Sequence, residues 1–170
     1  MADSTSATHS TGARLIAATL WGGLIAGTLD IADALIFHGV RGVAPWRILQ
    51  AIASGVLGRD AFAGGAWTAT LGLGLHFFIA TTVAAGYALA SLRLPVLIRR
   101  PLLCGAAYGL MVNAVMQYVV LPLSAFRAGP RPPAGAIDWG LVNLLLAHVF
   151  CVGLPIALTA RWAARRQHPI

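Results

Sequence analysis

Four long apolar runs, at 15–37, 67–90, 101–123 and 139–160, take up more than half of this 170-residue chain. Each is long enough to cross a bilayer core, which takes roughly 20 apolar residues in α-helical form. A segment in lipid must satisfy every backbone N–H and C=O within itself or within a closed sheet. Runs this long, without the two-residue alternation of barrel strands, therefore predict helices. The expected fold is all-α, a bundle of four transmembrane helices forming a single domain over residues 15–160. Composition agrees, with 58% of residues hydrophobic and 10% charged, where a soluble domain carries about 25% charged residues. Such a chain lacks the polar surface of a soluble enzyme and the polarity of a disordered one.

The charge is one-sided in type. All twelve basic residues are arginine, there is no glutamate, and five aspartates leave a net charge of +7. The arginines sit singly or in short clusters at the ends of the apolar runs. That is the placement of membrane-flanking charge, not of a nucleic-acid surface, so the expected partner is the lipid bilayer. The short loop between the second and third runs holds Arg93, Arg99 and Arg100, and the tail at 161–170 holds Arg161, Arg165 and Arg166. By the positive-inside tendency this predicts that both termini face the cytoplasm. Residues 1–14, rich in Ser and Thr, read as a disordered tail. The first run is too long, and too acidic at Asp30 and Asp33, for a cleaved signal peptide. Cys104 and Cys151 lie at different depths, so no disulfide is expected between them.

Between the first two runs, Leu49, Ile52, Ala53 and Val56 recur at helical spacing opposite Arg47, Gln50 and Ser54. With Pro45 suited to a first turn and Gly58 to a stop, this predicts an amphipathic helix over 45–58. It would rest on the outer membrane face, the alternative being a lid over an opening between the spans. The third loop, with Pro130, Pro132 and Pro133, reads as an irregular connection.

The second and fourth runs share a register: Trp67, His76 and Phe78 match Trp139, His148 and Phe150. The first and third share Gly23-xxx-Gly27 and Gly105-xxx-Gly109. The chain thus resembles two repeated hairpins in parallel orientation. Nine residues at 1.5 Å rise bring each histidine roughly 13–14 Å below its tryptophan, near the bilayer midplane. With the helices ordered 1-2-3-4 around the perimeter, both rings would face the centre.

Ionisable and amide side chains inside a membrane are costly and are by default candidates for function. The candidate ligand-binding set is Asp30, His76, Asn113, Gln117 and His148. Asp33 could instead reach outer water or Arg41, and Asn143 is assigned no role. The two amides of the third run, on one ridge with Gly105 and Gly109, suit interhelical hydrogen bonding as well as ligand contact. Pro155 predicts a kink below His148.

The stretches LQAIASGVLGRDAFAGGAWTATLGLGLHFFIA (49–80) and YGLMVNAVMQYVVLPLSA (108–125) resemble a group of small four-helix bacterial membrane proteins of unknown function. More distantly, the His-Phe of the second run and the Pro-Leu ending the third look like the YagU-type inner-membrane proteins. The resemblance implies a bacterial cytoplasmic membrane and four spans, and it implies no activity.

Three functional readings follow. The first is a polar intramembrane site for a small ligand, cation or proton, in a transporter-like or sensor-like protein, with a divalent metal as one candidate occupant. The second is a b-type haem held by His76 and His148, with Gly72 and Gly153 making room for the porphyrin. The third is an assembly protein whose glycine faces pack a homo-oligomer or a larger membrane complex. No catalytic constellation stands out, so an enzyme is not the expectation.

Overall fold

The computed structural model describes residues 3–126 and 137–166, with side chains from residue 12 onward. Six helices account for most of them: α1 (Asp3–Gly39), α2 (Pro45–Leu57), α3 (Gly65–Arg93), α4 (Val96–Arg99), α5 (Pro101–Leu123) and α6 (Trp139–Arg165). Among the described residues there is no strand. Four of the helices, α1, α3, α5 and α6, are long and apolar enough to cross a membrane. Their outward faces carry large apolar side chains such as Trp67, Phe78, Tyr118 and Leu123, the surface expected of a bundle solvated by hydrocarbon. The proline-rich connection expected around residue 130 and the last four residues of the basic tail lie outside the described residues.

The long helices follow one another around the perimeter in chain order, with α1 packed on both α3 and α6 and α5 packed on α6. Small residues bring these backbones together. Gly23 abuts Thr81, and Gly27 abuts Phe77 and Ala80, on α3. Gly105 and Gly109 abut Gly153, Leu154, Ala157 and the His148 backbone on α6. Both glycine pairs are therefore consumed inside one chain, which removes them as the docking faces of the assembly reading. Helix α1 also extends back to Asp3, where the sequence predicts a disordered tail. A helix already nucleated in the bundle elongates without a new nucleation cost, and no proline interrupts 3–14.

The fourth seam, between α3 and α5, closes differently at its two ends. Toward the end that carries both termini, Tyr108 donates a hydrogen bond to the Val83 carbonyl (2.7 Å), and its ring meets the fully buried Tyr87 edge-on. Tyr87 donates in turn to the Leu97 carbonyl of α4 (2.9 Å). The apolar core lies in this half and is built mainly from Ala18, Ala84, Ala88, Ile156, Ala157 and Ala160. Toward the other end, the loop end, α2 wedges into the seam.

That position corrects the expectation for α2. The helix packs along α3, and its buried stripe, Ile48, Gln50, Ala53 and Ser54, is rotated from the expected one, with Arg47 still exposed. Gln50 (2% exposed) and Ser54 (3%) point into the bundle beside Ala53, while Val56 is 64% exposed. The reason lies in the partners. Gln50 Nε2 donates to the Gly65 carbonyl (3.0 Å) and to Thr68 Oγ1 (3.4 Å), matching open acceptors in the first turn of α3. The missing side chain of Gly72 lets the Leu49 carbonyl close onto α3, and Ala125 N–H donates to the Gly55 carbonyl (2.9 Å) just past α5. Gly58, with φ +61°, supplies the left-handed turn that ends the helix.

Two of the long helices are not regular throughout. α5 widens into a π-helical turn over Met116–Val120, and α6 does so over His148–Gly153. Each lies just before a proline, Pro122 and Pro155, which lacks an N–H and crowds the preceding turn. The kink expected at Pro155 takes this widened form.

Candidate functional site

A cavity of about 240 Å³ lies between α1, α2, α3, α5 and α6 in the half of the bundle away from the Tyr87 core. Each long helix contributes one polar side chain to its lining: Asp30 from α1, His76 from α3, Gln117 from α5 and His148 from α6. Ile52 of α2 covers part of it, so α2 occupies the position of the lid alternative.

Both histidines have one ring nitrogen fixed. His76 Nε2 donates to the Gly27 carbonyl (2.8 Å), which α1 exposes because residue 27 has no side chain. His148 Nδ1 donates to the Leu144 carbonyl one turn back (2.9 Å), an acceptor at the start of the widened π turn. A ring that donates through one nitrogen while neutral keeps a lone pair on the other. His76 thus retains Nδ1 and His148 retains Nε2 as acceptors. Both rings and Asp33 are near enough to Asp30 to interact with it electrostatically, yet no ion pair forms among the described residues. Asp30 accepts no hydrogen bond from any described residue. With Asp30 ionised and both rings neutral, the lining offers a carboxylate, two imidazole nitrogens that make no hydrogen bond to a described residue, and one amide, a set rich in acceptors.

Beside the chamber lies a second, more open cleft of about 390 Å³ between the loop ends of α1 and α6. Asp30, Gln117, Leu144 and His148 line both spaces, and the outer cleft adds Asp33, Asp138 and Asn143. Three of the five aspartates in the chain thus share one cleft. Asn143 Nδ2 donates to Asp33 Oδ2 (2.7 Å), tying α6 to α1 across it. Sequence reasoning assigned Asn143 no role and offered Asp33 outer water or Arg41. Arg41 instead donates to the Phe37 carbonyl (2.6 Å) and lies over the Phe37 ring at 3.5 Å, within its own turn. Asp138, also missed, caps the start of α6 by accepting from Leu141 N–H (3.0 Å). Its signal was an aspartate directly before an apolar run.

Asn113 does not line the chamber. It is buried at 5% exposure, and its Nδ2 has no hydrogen-bond partner among the described residues. The i+4 ridge that joined it to Gln117 fails: Gln117, at the start of the Met116–Val120 π turn, lines the chamber and Asn113 does not. Gln117 swings to the cavity, while Asn113 stays on the ridge of Gly105 and Gly109.

The residues do not fit haem. The place nominated beside Gly72 is filled by the α2 backbone at Leu49, and that beside Gly153 by the α5 backbone at Gly105 and Gly109. His76 spends Nε2 on Gly27, and 240 Å³ falls below the roughly 300–1,000 Å³ of pockets for drug-sized ligands. Nor do three His, Cys or acidic groups come close enough together, among the described residues, to hold a metal ion. Cys104 and Cys151 are free thiols. No protein family, curated protein or solved structure matches this chain.

Proposed function

We propose that this protein binds a small cation, a proton or an ammonium-type ion, within the membrane, and exchanges it with the side of the membrane facing the loop end. In this reading it is a multi-pass protein of a bacterial cytoplasmic membrane with both termini in the cytoplasm, transporter-like or sensor-like in role. One observation carries the proposal: four polar side chains, one from each long helix, line a single chamber that shares walls with an aspartate-lined cleft. An intramembrane carboxylate without a fixed partner is expensive unless something positive compensates it. The acceptor-rich lining selects a ligand that donates hydrogen bonds or carries positive charge. The volume suits this, since a water molecule occupies about 30 Å³ of liquid.

The test is charge displacement by purified protein in liposomes on a solid-supported membrane, after jumps in pH or in ammonium or methylammonium concentration. Wild type is expected to give a transient current for at least one of these cations. Asp30→Asn is expected to reduce it at least tenfold, with His76→Gln and His148→Gln reducing it less. A wild-type current in Asp30→Asn would refute the proposal, and so would a wild-type protein silent to all three cations.

A further inference from the structure

At the end of the bundle carrying both termini, a second and chemically opposite cavity lies between α1, α3, α4 and α6. It measures about 780 Å³ and is lined by Arg14, Arg99 and Arg165 together with Ser91, Ile98 and Ala164. The three guanidinium groups come from three separate elements: α1, the short loop helix α4 and the end of α6. None makes a hydrogen bond or ion pair with a described residue. The aspartates with described side chains, Asp30, Asp33, Asp60 and Asp138, belong to the chamber, its cleft or the loop end. The floor is apolar and narrows into a crevice of about 30 Å³ between α1, α3 and α6, walled by Ala18, Ala88 and Ala160 and bordered by Arg14. Arg14 is half-buried and Arg99 and Arg165 are exposed, and the three line one groove with Leu92, Ile98 and Ala164 at the level where the apolar stretches stop.

We propose that this pocket binds a phosphate-bearing anion, the headgroup of an anionic phospholipid, with Arg14, Arg99 and Arg165 as its charged contacts. Guanidinium groups pair with phosphate oxygens in a planar two-donor fork. Basic pockets between transmembrane helices on the positively charged side suit acidic headgroups. The apolar side chains of Leu92, Ile98 and Ala164 beside the arginines give the start of an acyl chain a surface to lie on, which a soluble phosphate would leave unused.

The experiment is native mass spectrometry of the full-length protein released from neutral detergent, titrated with phosphatidylglycerol or phosphatidylcholine, with sodium phosphate as a separate arm. Wild type is expected to retain phosphatidylglycerol in preference to phosphatidylcholine. The pair Arg14→Gln/Arg99→Gln is expected to weaken that retention by roughly five-fold for each arginine removed. Arg93→Gln/Arg100→Gln, the same charge change in the same loop region but outside the pocket, is expected to leave it near wild type. Arg14→Lys/Arg99→Lys keeps charge without the fork, so it is expected to fall between wild type and the glutamine pair, and it serves if that pair does not fold. Equal retention of both lipids, equal losses in the two glutamine pairs, or wild-type retention by the lysine pair would each overturn the proposal. Displacement of the lipid by millimolar phosphate would overturn the lipid assignment in favour of a soluble anion.

Discussion

At Gly153 the backbones of α5 and α6 touch, and a single methyl group there would land on Gly105 and Gly109. Gly153→Ala should therefore force the helices apart and cost about 1–3 kcal/mol, the usual range for overpacking. Gly74→Ala, where an added carbon meets nothing within 4 Å, should stay within about 0.5 kcal/mol of wild type. Unfolding both variants in the same detergent compares them directly, and equal losses would contradict this packing. Asn113 gives the opposite sign. A buried donor without a partner carries a desolvation penalty that an apolar group of similar shape does not. We expect Asn113→Leu to be neutral or stabilising by up to about 1 kcal/mol in the same assay, and a loss above that size would show that its amide has a partner. The GxxxG spacing announced close backbone approach. It did not announce whether the partner helix belonged to the same chain, because a glycine face is equally suited to either.

Among the elements, α2 departs furthest from its pattern. Period and end signals placed it correctly in the chain, but amphipathicity assumes that polar faces seek water. Here Gln50 turns inward to the Gly65 carbonyl and Thr68, and lipid is an acceptable solvent for Val56. The wedge depends on Gly72, whose missing side chain admits the Leu49 carbonyl. In a protein with Cys104 and Cys151 replaced by serine, Ala53→Cys should resist maleimide labelling in the folded state, because Ala53 is fully buried. Adding Gly72→Leu should displace α2 and make that cysteine reactive. Equal labelling with and without Gly72→Leu would show that α2 is held by something else. Of the two π turns only that of α6 was announced, as a disturbance at Pro155; its form as a widened turn, and the turn of α5 before Pro122, were not legible.

For the molecule as a whole, the two halves differ in kind. The half nearer the termini is sealed by Tyr87, Tyr108 and an alanine-rich core, while the other half holds the chamber and its cleft. Access should therefore be one-sided. In the same cysteine-free background, Gln117→Cys should react with a membrane-impermeant thiol reagent added on the side of the loop end, at least tenfold faster than with reagent added on the side of the termini. Equal rates from both sides would mean that the tyrosine layer does not seal the bundle.

Helix number, helix length and the all-α class were legible along the chain because they follow from local hydropathy and the need of each segment to satisfy its own backbone in lipid. The matched Trp-His-Phe registers likewise marked His76 and His148 from spacing alone. The gathering of Asp30, His76, Gln117 and His148 around one chamber, the exclusion of Asn113 and the Asp33–Asn143 link depend on helix rotation about each axis. In so apolar a sequence, hydropathy leaves that rotation nearly undetermined, since every face of a membrane helix is apolar enough to meet either lipid or protein. Here close contact at glycines and hydrogen bonds from His76 and Gln50, which join separate segments of the chain, set it together with the local widened turns before two prolines.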